Sequence, residues 1–142
     1  MDKEDSNPVE PLKVLIVDDE PEFREILVKR LRKRKLGVIP VSGGKEALDK
    51  LAHEQFDAVV LDMKMPGMCG METLQEIKKV TPSVEVIVLT GQPELQIAME
   101  AMELGAFDYL LKPPDLDELL YRIEDACRRK NHNNTQRHHT LV

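Results

Sequence analysis

The chain has 142 residues, 42% hydrophobic and 32% charged, with a formal net charge of −6. That length suits one globular domain able to bury a core without disulfide or metal staples, and the acidic balance argues against a dedicated nucleic-acid binder. Aromatics make up 4% with no Trp, so the core must be aliphatic, and two cysteines, Cys69 and Cys127, that form no cysteine motif fit a reduced, intracellular chain.

Residues 1–11 are acidic and carry two prolines. They read as a disordered lead-in, without the apolar segment of a signal peptide. No run approaches the ~18 apolar residues that span a membrane, so a cytoplasmic location is expected. Residues 12–17 are apolar except for Lys13 and predict the first strand. Asp18, Asp19, Glu20 and Pro21 then open a helix, acids and Pro both suiting its first turn. Phe23, Ile26, Leu27 and Leu31 form its apolar face. The basic end of this helix, Lys29 to Lys35, could serve an acidic partner. A solvated helix end complementing the dipole is the simpler account.

Gly37 is expected to cap the helix. Residues 38–41 predict a second strand, which Pro40 places at a sheet edge. A Ser-Gly-Gly turn leads to a helix at 45–53, where His53 has no ligand partner at metal spacing. Residues 56–61 form a continuous apolar run that ends at Asp62, a pattern for a strand buried on both faces. Helices at 70–80, 93–104 and 115–130 alternate with strands at 84–89 and 107–111, and Gly105 caps the fourth helix. The polar stretch 131–142, with His132, His138 and His139, is expected to be a flexible tail.

Strand and helix alternate five times at about 25 residues per unit. The expected fold is α/β, an open doubly wound five-stranded parallel sheet of order 2-1-3-4-5 with five helices, flavodoxin-like. Ligands of such sheets bind at the carboxyl ends of the strands, where strand order reverses. The strands there end in Asp18 and Asp19, Asp62, Thr90 and Lys112. Clustered carboxylates without His or Cys call for a hard cation, and Mg²⁺ fits best. Lys112 and Thr90 suit phosphoryl oxygens, and a carboxylate such as Asp62 can itself accept a phosphoryl group.

Four stretches occur in order at these strand ends: Val-Leu-Ile-Val-Asp-Asp-Glu at 14–20, Leu-Asp-Met-Lys-Met-Pro-Gly-Met-Cys-Gly at 61–70, Leu-Thr-Gly at 89–91 and Asp-Tyr-Leu-Leu-Lys-Pro at 108–113. Through them the chain resembles the receiver domain of two-component response regulators over about residues 12–130. The resemblance implies that Asp62 is the phosphoacceptor. Asp19 would ligate Mg²⁺ directly, Asp18 would act mainly through water, and the main-chain carbonyl of Lys64 would be a further ligand. Lys112 would pair with the phosphoryl group, preceding a cis Pro113. Thr90 and Tyr109 would be a switch pair, signalling through helix 4, strand 5 and helix 5.

The resemblance also implies partners. They are a histidine kinase or histidine phosphotransfer protein, a downstream protein target, and a phosphorylation-dependent homodimer, with neither membrane nor direct nucleic-acid binding. Two departures stand out. Gly91 replaces the family's more usual Ala, and Lys64 and Gln92 occupy positions that tune phosphoryl loss, where an acid would favour rapid loss.

Other readings fit less well. A haloacid-dehalogenase-type phosphatase needs an acid where Lys64 stands. A flavin module needs a Ser/Thr/Gly-rich phosphate loop where Asp-Asp-Glu-Pro stands. The chain is thus expected to be no enzyme beyond assisting its own phosphorylation and dephosphorylation. A stand-alone receiver is favoured, the alternative being the N-terminal portion of a longer DNA-binding transcriptional regulator.

Overall fold

The computed structural model describes residues 11–64, 69–91 and 95–140, with side chains to residue 129. Residues 1–10 of the expected lead-in, the Met65-Pro66-Gly67 turn and Gln92 lie outside the described residues.

Strands β1 (Lys13–Val17), β2 (Gly37–Val41), β3 (Ala58–Asp62), β4 (Glu85–Thr90) and β5 (Asp108–Leu111) alternate with helices α1 (Pro21–Lys33), α2 (Gly44–His53), α3 (Gly70–Val80), α4 (Leu95–Glu103) and α5 (Leu116–Thr140). All pairings are parallel, and the five-stranded sheet has the order β2-β1-β3-β4-β5. This is the doubly wound, flavodoxin-like arrangement expected from the alternation. Pro40 lies on the β2 edge strand, where a missing N–H costs no ladder bond.

Every residue of β3 is buried, because helices cover both sheet faces. Leu15, Val17, Val59, Leu61, Val86 and Val88 meet α2, α3 and α4 through Ala47, Leu51, Leu74, Ile77 and Ala101. The alternate residues Val14, Ile16, Val60, Ile87 and Leu89 meet α1 and α5 through Leu27, Val28, Leu31, Leu119 and Ile123. The period of two along each strand therefore feeds two aliphatic layers.

Two expectations need correction. Gly37 does not cap α1. It opens β2, and Lys35 takes the left-handed conformation at φ 69°. The Lys35 and Leu36 N–H groups donate back to the carbonyls of Arg32 and Leu31. Leu36 must reach the core beside Leu31, so the reversal falls one residue before it, whatever the side chain there. The fifth helix also does not stop near Lys130. Its backbone is helical to Thr140, so the stretch expected as a flexible tail continues α5 as far as that residue. No Gly or Pro interrupts 116–140, and propagation needs no new nucleus. Gly105, by contrast, caps α4 as expected, at φ 103°.

Candidate functional site

Asp18, Asp62 and Lys112 follow or end β1, β3 and β5, and all three point toward the α1 side of the sheet. Asp18 and Asp62 are 1% and 2% exposed, rare burial for carboxylates. The Lys112 Nζ lies 3.0 Å from Asp18 Oδ2 and 3.3 Å from Asp62 Oδ2, and it also ion-pairs with Glu20. The Phe23 ring centroid is 4.6 Å from the same ammonium. Lys112 reaches this point because its N–H still donates to Thr90 O, at 2.8 Å, one residue past β5. The Lys112–Pro113 peptide is cis, as the resemblance implies.

Backbone bonds hold the carboxylates. The Lys64 N–H donates to Asp62 Oδ1 at 3.1 Å, and the Glu20 N–H to Asp18 Oδ1 at 2.8 Å. Arg24 Nη1 donates to the Asp18 carbonyl at 2.7 Å, tying α1 to the end of β1. Gly70 lets α3 start against the end of β3. A Cβ there would fall 2.4 Å from Met63 Cα.

Burial raises the Asp62 pKa, and the charge of Asp18 adds to the effect, against the Lys64 N–H and the Lys112 ammonium. Burial alone would lower the Lys112 pKa. Its contacts with Glu20, Asp18 and Asp62 outweigh that, and the ammonium is held charged well above its ordinary value.

Oxygens of Asp18, Glu20 and Asp62 lie within 4.8 Å of one another. Asp18 Oδ2 is buried without a well-directed hydrogen bond. Clustered hard oxygen donors of this kind suit a small divalent cation such as Mg²⁺.

The expected site residues are thus not all brought together. Asp19 stays outside the three-carboxylate cluster and lines the neighbouring groove with Glu20, Phe23 and Ile26. Consecutive residues leaving a strand point to opposite sides, so Asp18 and Asp19 do not converge. Thr90 is buried at the end of β4, on the opposite face parity from Asp62. It lines a cleft of about 460 Å³ with Met63, Lys64, Cys69 and Ile97.

Tyr109 is 38% exposed on β5, on the same sheet face as Thr90. Leu95, Met99 and Met102 of α4, Leu111 of β5 and Tyr121 of α5 are also exposed apolar side chains.

Sequence reasoning missed Glu20, Phe23 and Gly70. Glu20 read as a charge for the helix dipole. In the fold it occupies the N-cap without a side-chain cap bond, which leaves its carboxylate for Lys112.

The family model of the response regulator receiver domain matches residues 14–124. The chain belongs to this family. The response regulator protein PilR of Pseudomonas aeruginosa is 40% identical over 119 residues, covering 84% of this chain and 27% of that protein. Sporulation initiation phosphotransferase F of Bacillus subtilis is 39% identical over 117 residues, covering 82% of this chain and 91% of that protein. A receiver domain structure from Clostridium thermocellum superposes with a TM-score of 0.80 at 38% identity, covering 84% of this chain and 97% of that one. The receiver domain thus spans about a quarter of PilR and nearly all of the sporulation phosphotransferase. It is a module of two-component signalling. Among the described residues, no helix is long and apolar enough to cross a membrane.

Proposed function

We propose that this receiver domain accepts a phosphoryl group on Asp62 from a histidine kinase or a histidine phosphotransfer protein, in the cytoplasm. The observation that carries the reading is the buried Asp62 carboxylate with the Lys112 ammonium 3.3 Å away, beside two further carboxylates. Asp62 oxygen attacks phosphorus in line, the new O–P bond forms as the bond to the donor nitrogen breaks, and the donor imidazole leaves. Lys112 takes up charge developing on the phosphoryl oxygens.

Asp18, Asp62 and the Lys64 main-chain carbonyl would hold Mg²⁺, and Asp19 would join them by turning its carboxylate in from the groove it lines; the ion would neutralise charge between carboxylates and phosphoryl oxygens. Thr90 then turns its hydroxyl to a phosphoryl oxygen, and Tyr109 moves inward from β5. The modification adds about −1.5 to −2 charges. It biases the inactive–active equilibrium only through contacts made in the active form, here those of Thr90 and Lys112. The output is read on the apolar α4–β5–α5 surface by a protein target or by a second copy of the domain.

A second reading concerns context. The transcriptional regulatory protein ZraR of Klebsiella oxytoca is 38% identical to this chain over 26% of its own length. The DNA-binding transcriptional regulator NtrC of Escherichia coli is likewise 38% identical over 24% of its own length, and on this reading the domain controls a DNA-binding output within a longer regulator.

The test is incubation with Mg²⁺ and a small acyl phosphate, read by intact mass. One phosphate increment in the wild type and none in Asp62→Asn is the expected result. No increment in the wild type, or an equal one in the variant, overturns the proposal.

A further inference from the structure

We infer that Glu20 is a positioning residue for Lys112, a carboxylate latch that holds the ammonium on the α1 side and restrains phosphorylation of Asp62. The inference rests on the receiver reading of the site. Glu20 is the α1 N-cap residue, with extended φ −87° and ψ 107°, and its side chain makes no cap bond. Its N–H is tied to Asp18 Oδ1, and Pro21 follows, so its backbone is fixed where its carboxylate reaches Lys112 Nζ. Phe23, in the first turn of the helix, places its ring against the same ammonium. Lys112 is therefore held from the α1 side by two residues of one short segment.

The three carboxylates around Lys112 are not equivalent. Asp18 and Asp62 are buried, and their oxygens are the ones a cation and a phosphoryl group would occupy. Glu20 is 61% exposed at the rim, and the phosphoryl transfer proposed above assigns it no step. Once the buried pair is engaged, Glu20 remains as the counterion of Lys112. A phosphoryl group on Asp62 needs that ammonium for its own oxygens. Glu20 and the phosphoryl group thus compete for one cation, and a contact broken on phosphorylation opposes it.

The experiment uses the whole chain and two substitutions. Glu20→Gln removes the charge, whereas Glu20→Asp keeps it one methylene short of Lys112. In the metal-free protein, Lys112 acylation by an amine reagent, read on its peptide by mass spectrometry, is expected to rise about two- to five-fold in both variants, the scale of one partly exposed ion pair. With Mg²⁺ and acetyl phosphate, the phosphorylation rate is expected to rise by a similar factor in both.

Unchanged labelling in Glu20→Gln overturns the latch. Wild-type behaviour of Glu20→Asp overturns it too, in favour of a general negative field at the rim. Raised labelling without faster phosphorylation removes the restraint. A wild-type chain that takes no phosphate sinks the receiver reading and the restraint with it, while labelling still reports the Glu20–Lys112 contact.

Discussion

Lys112 Nζ lies 3.3 Å from Asp62 Oδ2 although β4 separates their strands in the sheet. The ammonium crosses the end of β4 to neutralise two buried carboxylates. Lys112→Ala leaves Asp18 and Asp62 facing each other without a cation. The variant is expected to lose about 1–3 kcal/mol in metal-free urea denaturation, the cost of stranding a buried polar partner. Mg²⁺ should recover more stability in the variant than in the wild type. Equal Mg²⁺ effects in the two proteins would contradict the shared cluster.

Asp62 has a pKa raised above its ordinary 3.8, chiefly by burial. The native state therefore holds this proton more tightly than the unfolded chain does. Its contribution to stability is complete below that ordinary value and is lost as pH rises through the raised one. Asn at this position stays neutral throughout. Metal-free Asp62→Asn is expected to gain on the wild type as pH rises above about 4, levelling at about 1–2 kcal/mol, a gain typical of relieving a functional site. Thermal melts between pH 3 and 8 would check the sign. A gap that narrows with rising pH would refute it.

Lys64 presents its N–H to Asp62 and keeps its own side chain exposed. No acid stands there to favour loss of the phosphoryl group. Radiolabelled phosphoprotein is expected to persist for minutes or longer after donor removal. A half-life of a few seconds would count against this role for Lys64.

Gly70 lets α3 begin against β3. In Gly70→Ala the new Cβ would meet Met63 Cα at 2.4 Å and Met63 O at 2.8 Å. Backbone cannot rotate aside as a side chain can, so a cost of about 1–3 kcal/mol is expected. The segment carrying Lys64 must shift as well, so phosphorylation by a small donor should slow. A stable variant with wild-type kinetics would show that the loop tolerates the displacement.

Lys35 pays for its left-handed backbone with Cβ strain that Gly would not carry. Lys35→Gly is expected to stabilise the domain by about 0.5–1 kcal/mol, with phosphorylation unchanged because the site lies at the other end of α1. Chemical denaturation measures this directly, and destabilisation would mean that the Lys side chain matters more than the strain.

Much of this architecture was legible in the residues. The run Ala58-Val59-Val60-Leu61 reads as a strand covered on both faces, and it is one. The order of the sheet follows from five strand–helix units, because right-handed crossovers leave few alternatives. Asp18, Asp62 and Lys112 were legible as site residues since each directly follows or ends an apolar run. Glu20 was not. A carboxylate in a first helical turn has a sufficient local explanation, and nothing in sequence places it next to a residue 92 positions away.

Local signals are short-ranged: apolar periodicity, strand ends, and breakers such as Gly105. They determined the elements, the sheet and the edge where the polar residues collect. Only the tertiary structure decided which of two adjacent carboxylates, Asp18 or Asp19, enters the cluster, that Glu20 and Phe23 hold Lys112, and that Lys35 rather than Gly37 reverses the chain after α1. Each of these depends on side-chain direction at a junction. There the pleat of a strand, the burial of Leu36 and the start of a helix compete, and packing against distant elements settles the outcome.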